Sequence, residues 1–227
     1  MKTRAATPRP DRTRAVLATR VAGIAVAVAL LVATGLYVDG NHVPGTERVV
    51  FRLINGIPSF IYWPVWVLMQ LGNLVAVPAF VVVALVLRRY RLAIAAVIVG
   101  AGKWYGSRLL KDFFFRERPG SILSEVILRD APATGQAFVS GHAVIAVGLA
   151  VIAHPYLSRR WRAVAWTAAA LVCLGRVYVG AHLPLDVVGG AAAGWAIGSV
   201  ANLMTNAHRA ESDSRRGLWP VSRRQKR

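Results

Sequence analysis

The sequence predicts an all-α integral membrane bundle of about six transmembrane helices. Three observations carry that prediction. Of 227 residues, 56% are hydrophobic, and the mean hydropathy of +0.47 does not fit a water-soluble domain. The apolar residues gather in runs long enough to cross a hydrocarbon core of about 30 Å as helices. The excess of 28 Lys and Arg over 10 Asp and Glu falls mostly in short segments flanking those runs.

In a soluble chain a net charge of +18 would point first to nucleic acid. Here the positive-inside rule accounts for it, because cytoplasmic loops of membrane proteins collect Lys and Arg. No nucleic-acid partner is therefore expected. The single Cys173 lies in an apolar run. It excludes an intramolecular disulfide and a cysteine-based metal site, and reads as a small buried hydrophobe.

Residues 1–20 form a basic N-terminal segment, Arg- and Pro-rich over 1–15, a composition expected to be disordered. The first apolar run, about Val21–Val38, follows Arg20. It is long for the apolar part of a signal peptide, and Thr34-Gly35-Leu36 is a weak cleavage site, so a retained first span is expected. Residues 39–59 read as a loop with a short interfacial helix near Val49–Ile54. Tyr62, Trp63 and Trp66 suit a membrane interface. The second span, about Ile61–Leu87, is interrupted by Asn73 and Pro78, which predicts a kink. Arg88-Arg89-Tyr90-Arg91 ends it as a tight basic turn.

The third span is expected at Leu92–Leu110, and a polar segment follows from Lys111 to about Ala137. The remaining spans are Val139–Leu157, Trp161–Val179 and Leu185–Met204, with basic Arg159-Arg160-Trp161-Arg162 between the first two of these. The membrane domain thus covers 21–205, and 206–227 is a basic tail expected to be disordered. Gly189, Gly190, Gly194 and Gly198 fit close helix packing. The basic segments alternate with less basic ones. The rule of positive loops inside then puts both termini in the cytoplasm and loops 39–59, 111–137 and 180–184 outside.

The candidate chemistry lies on that outer side, in three groups. Lys111 is followed after six residues by Arg118-Pro119. Ser140-Gly141-His142 opens the fourth span. Arg176, His182 and Asp186 lie between the last two apolar runs. Ionisable groups near a membrane are costly, about 2.5–3.5 kcal/mol each at a helix centre on insertion scales. If the last helix begins near His182, a spacing of four puts His182 and Asp186 on one helical face, and a carboxylate beside an imidazole fixes its tautomer and raises its basicity.

Three cations, two histidines, a Ser-Gly pair and one carboxylate suit a phosphate ester. The cations neutralise a group carrying about −1.5 to −2 charges and favour the charge that develops on its oxygens. Arg grips such oxygens bidentately, and Ser140-Gly141 at a helix start presents backbone N–H groups to phosphate. One histidine can attack phosphorus while the other protonates the leaving alkoxide. Asp186 alone is a poor Mg²⁺ site and two histidines fall short of a typical zinc site. No metal and no cofactor are expected.

These three groups resemble the signature of the phosphatidic acid phosphatase type 2 family, membrane lipid phosphate phosphatases related to vanadium haloperoxidases. That signature is Lys, six residues, Arg-Pro; then Pro-Ser-Gly-His; then Ser-Arg, five residues, His, three residues, Asp. The resemblance implies His182 as a nucleophile forming a phosphohistidine, Asp186 as its orienting partner and His142 as general acid. It implies Lys111, Arg118, Ser140, Gly141 and Arg176 as phosphate ligands. Val139 stands where the family has Pro and Gly175 where it has Ser. The implied activity is hydrolysis of a lipid phosphomonoester or pyrophosphate at the outer face of a plasma membrane. A phosphotransferase on the same residues, and a non-catalytic lipid-binding or transport protein, remain as alternatives. Lys103 is a secondary candidate for headgroup contact. Arg116, Glu117 and Arg129 read as a solvated outer rim, and His42, His154 and His208 as residues without a role.

Overall fold

The computed structural model describes residues 12–205. The expected disordered tail, residues 1–11 of the basic start and His208 lie outside the described residues. Within them the protein is all-helical: α1 (Arg12–Val38), α2 (Gly45–Asn55), α3 (Tyr62–Met69), α4 (Ala76–Val86), α5 (Tyr90–Phe113), α6 (Pro119–Ile122), α7 (Gly141–Ala153), α8 (Arg159–Tyr178) and α9 (Pro184–Met204). Short 3₁₀ turns extend several of them, among these Gln70–Gly72 after α3 and His154–Tyr156 after α7.

Helix α7 is the axis of the bundle. Ala143 through Ala153 are all buried, and α7 packs against α9, α8 and α5. Close approach to α9 depends on glycine. A Cβ at Gly194 would stand 2.5 Å from the Val144 carbonyl oxygen, and one at Gly190 would stand 2.6 Å from that of Ser140. Helix α1 covers the other side of α9. The helices turn apolar side chains outward as well as inward: Val26, Leu36, Val82, Val86 and Val97 are all exposed. Lipid is the solvent in which such faces are stable, since a bilayer interior is as apolar as they are.

Length and composition support two or three of the six expected spans among the described residues. Among the described residues two helices are long and apolar enough to cross a membrane, Leu17–Asn41 and Pro184–Met204. A third arises if Ser59–Gly72 and Ala76–Val86, bent by 65° across their break, count as one span. Helices α5 and α8, at 24 and 20 residues, have the length. They carry Lys103 and Arg108, and three arginines before Ala163, within it. Helix α7 with its 3₁₀ turn is apolar but short. The kink expected near Asn73 is a full break, with Asn73 extended at ψ 152°. The tight turn at Arg88 takes φ +55°.

The interfacial helix expected at Val49–Ile54 is α2. Glu47, Phe51 and Asn55, at intervals of four, face the protein, while Val49, Val50 and Leu53 are exposed. This helix is tied to the long 114–140 connection. Asn55 Nδ2 donates to the Ile127 and Tyr178 carbonyls, both at 2.9 Å. Arg129 is a staple and not part of a solvated rim. It is buried, donates to the carbonyls of Asn55, Ile57 and Tyr178 at 2.7–2.9 Å, and lies over the Tyr178 ring. Together α2 and the connection roof the end of the bundle where α7 and α9 begin.

Candidate active site

Four helix ends meet under that roof: the last turns of α5 and α8, bearing Lys111 and Arg176, and the first turns of α7 and α9. Pro184 occupies the first turn of α9, where its missing N–H costs nothing, and Asp186 follows it. The two helix starts are stitched by the Ser140 N–H donating to the Asp186 carbonyl at 3.1 Å. Ser140 precedes α7 but makes no capping bond with its hydroxyl. The first N–H groups of α7 thus keep the unpaired state intrinsic to a helix start.

All the sequence-predicted residues gather here. His142 lies within electrostatic reach of Arg176, His182, Lys103 and Arg118. Lys111 interacts with Arg118, Lys103 and Asp186. Arg118 donates from Nη1 to the Ala181 carbonyl at 3.0 Å, and the Arg176 carbonyl accepts from Ala181 and His182. Lys111 Nζ donates to the Gln136 carbonyl at 3.2 Å. Lys103 belongs with this group, since its Cε would stand 2.9 Å from a Cβ at Gly141. A larger residue at 141 would push the end of that lysine aside.

Three buried polar atoms in this group have no hydrogen-bond partner: Ser140 Oγ, Arg176 Nε and His182 Nδ1. Two are acceptor-capable or donor groups of residues that the resemblance assigns to phosphate, and the third belongs to the implied nucleophile. Leaving such groups unpaired costs about 1–3 kcal/mol each. An anion with several acceptor oxygens would satisfy the hydroxyl and the guanidinium together.

His182 Nδ1 lies 3.8 Å from Asp186 Oδ2, longer than a hydrogen bond but close enough for electrostatic attraction. Burial pushes the His182 imidazole down to about 4, with Asp186 opposing and Arg176 adding to the shift. The ring is therefore neutral near pH 7, the state a nucleophile needs.

Asp186 is held on both oxygens. Oδ2 accepts from the Leu183 N–H at 2.8 Å, and Oδ1 from Arg116 Nη1 at 2.9 Å. Arg116 is 0% exposed, which corrects the expectation of a solvated residue. Its guanidinium also grips Glu47 through both terminal nitrogens and donates to the His42 carbonyl at 3.1 Å. Although burial opposes its charge, Glu47 and Asp186 raise the Arg116 pKa above the ordinary guanidinium value. Glu47 in turn accepts from the Leu185 N–H at 2.8 Å. Sequence reasoning missed both Glu47 and Arg116. A Glu at the start of an amphipathic helix is an ordinary feature, and nothing local marks it as a buried partner. Glu117 accepts from Asn41 Nδ2 at 3.1 Å and sits at the rim.

The two departures have local explanations. At Gly175 a Cβ would stand 2.9 Å from Met69 Cγ, so a methionine fills the space a serine would use, and its sulfur lies 3.9 Å from Arg176 Nη1. Val139 is buried in an apolar cluster with Val38, Phe138 and Val144. Of the residues read as without a role, His154 accepts through Nδ1 from Trp166 at 3.1 Å, far down α7. Among the described residues no three His, Cys, Asp or Glu side chains converge to hold a metal ion.

The sequence profile of the PAP2 superfamily matches residues 88–210, more than half of the chain. No curated protein matches the sequence. Two solved structures share the fold. The crystal structure of Aquifex aeolicus LpxE aligns with a TM-score of 0.62 at 24% identity, over 67% of this chain and 92% of that one. A PAP2 type phosphatidylglycerolphosphate phosphatase from Bacillus subtilis aligns with a TM-score of 0.68 at 19% identity, over 81% and 96%.

Proposed function

This chain belongs to the PAP2 superfamily, and on that premise we propose that it is a membrane lipid phosphatase acting through a phosphohistidine. The observation that carries the reading is the set of unpartnered buried groups on Ser140, Arg176 and His182, ringed by Lys103, Lys111 and Arg118. One of the solved structures with this fold is a phosphatidylglycerolphosphate phosphatase, which agrees with a lipid phosphate as substrate.

In the proposed mechanism Lys111, Arg118, Arg176, the Ser140 hydroxyl and the Gly141 backbone hold the phosphate oxygens. His182 Nδ1 faces Asp186, so Nε2, across the ring, attacks phosphorus. The phosphorus–oxygen bond to the leaving group breaks, and its electron pair takes the proton of His142. For this step His142 has to take up a proton as the phosphate dianion binds, the dianion offsetting the Arg176, Lys103 and Arg118 charges around it. Water, deprotonated by His142, then attacks the phosphohistidine; the nitrogen–phosphorus bond breaks and neutral His182 returns. Fixed cations supply the charge stabilisation in both steps.

In the same reading α1, the bent α3–α4 pair, α5, α7, α8 and α9 are six spans, and 21–205 is one membrane domain. The site faces outward from a plasma membrane and both termini are cytoplasmic, as the basic turns at 88–91 and 159–162 favour.

The test is phosphate release by the purified protein in detergent containing EDTA. The substrates are a polyprenyl diphosphate, phosphatidic acid and phosphatidylglycerol phosphate. Release from at least one, abolished by His182→Ala, is the expected result. Release unaffected by His182→Ala would sink the mechanism. Bound lipid without release from any substrate would favour a transferase or a binding protein.

A further inference from the structure

We infer that one hydrocarbon chain of the lipid phosphate is held inside the bundle, in a cavity beneath the phosphate site whose depth sets the chain length accepted. This rests on the lipid-phosphate reading above. The cavity has a volume of about 820 Å³ and lies between α4, α7 and α8.

Its origin is the break in the second span. Helix α3 packs on α8, but α4 swings away through 65° to pack on α5. A wedge is left between α4 and α8. Alanines keep it empty: Ala146, Ala150 and Ala153 on one face of α7 oppose Ala168 and Ala169 of α8. Larger residues at these positions would close it.

The upper end approaches the site without any phosphate-site residue in its wall, and the close-packed Gly72 lies between the two. Gln70 and Asn73 line the mouth on either side of Gly72. A Cβ at Gly72 would stand 2.8 Å from the His142 carbonyl oxygen and 2.7 Å from Val172, itself a wall of the cavity. Ala146 is one turn below His142 on α7. The lower end reaches Leu157 and Tyr156, with the Arg89 guanidinium 5.2 Å from the Tyr156 ring centroid. From Val75 to Leu87 along α4 the depth is about 18 Å at the helical rise. That is a little over half of a hydrocarbon core of about 30 Å, the reach of one chain in one leaflet.

The chemistry of the two ends is that of a lipid phosphate: cations and helix starts above, an apolar wall below. A phosphate that reaches buried His182 must bring the first part of its chain among the helices. Moving a chain from bilayer to cavity gains nothing from water release, so the cavity acts by shape and contact. Selectivity then appears as a length limit and not as a general affinity for apolar chains.

The experiment fills the cavity. Ala150→Phe and, as a smaller change, Ala168→Leu shorten it. Val82→Phe adds an aromatic ring on the exposed face of α4 instead. We expect kcat/KM for dipalmitoyl phosphatidic acid to fall about tenfold or more in Ala150→Phe, an overpacking effect of ordinary size. Dioctanoyl phosphatidic acid should be unaffected, Ala168→Leu should act in the same direction, and Val82→Phe should change neither. In parallel, a phosphatidic acid with a photoreactive diazirine at its chain end is cross-linked to the wild-type protein. Adducts are expected on Ala150, Ala153, Ala168 or their cavity neighbours. Such adducts without phosphate release from any lipid would overturn the catalytic reading and leave the chain site standing. Phosphate release with an unchanged chain-length profile in both filled variants, or adducts confined to outward residues such as Val82, would overturn the chain site alone.

Discussion

At the residue scale the site is a balance of buried charges. Arg116 is shared between Glu47 and Asp186, residues 69 and 70 positions away. Removing one partner of a buried pair leaves an uncompensated charge, at a cost of about 3–5 kcal/mol. Arg116→Leu should therefore lower the thermal unfolding midpoint in detergent sharply. Glu47→Gln keeps the shape and the acceptor for Leu185, and should cost about 1.5–3 kcal/mol, the worth of a charged hydrogen bond. The double variant should be less damaged than the sum, because the two share one network; a strictly additive result would show that they act separately. His182 makes a second residue-scale prediction. Its folded value of about 4 lies below the ordinary 6.5, so the ring stays neutral as pH falls from 7 to 5. It also draws on stability as pH falls from about 6.5 toward 4, because the unfolded chain then binds the proton the folded site refuses. Histidine-labelled NMR titration in detergent, assigned with His182→Gln, should place the midpoint near 4. A midpoint near 6.5 would mean the imidazole is not desolvated as described.

At the element scale the site exists because α7 and α9 start side by side and in contact. That contact is made by glycine. Gly194→Val would put a Cβ 2.5 Å from backbone, the Val144 oxygen, with Gly148 N at 3.1 Å. Backbone on both sides cannot retreat without parting the helices, so about 1–3 kcal/mol or more should be lost. Gly106→Ala meets nothing within 4 Å and should be neutral, with helix propensity slightly in its favour. Thermal melting in detergent separates the two, and equal effects would refute the packing account. The small-residue run 189–198 was legible as a packing stripe from its spacing alone. The break at Asn73 was legible as a kink, but its 65° bend and the direction of α4 were not, since a polar residue marks where a helix ends and not where the next one goes.

At the scale of the whole molecule, the exposed apolar faces and the flanking arginines orient the bundle in a bilayer. In a Cys173→Ala background, Glu125→Cys on the roofing connection should react with a membrane-impermeant maleimide on intact cells, and Arg160→Cys at the start of α8 should react only after lysis. The reverse pattern would invert the site. The sequence by itself determined the helical membrane class, the basic-turn alternation and the three-part constellation of Lys111 to Asp186, because hydropathy, charge and short spacings are local quantities. The tertiary structure alone decided which charges are buried with which, as in Glu47–Arg116–Asp186, and where the bundle leaves space, as between α4 and α8. In lipid the outward face of a helix is as apolar as the inward one, so periodicity cannot say which side meets a neighbour. Only the packing of distant segments resolves that.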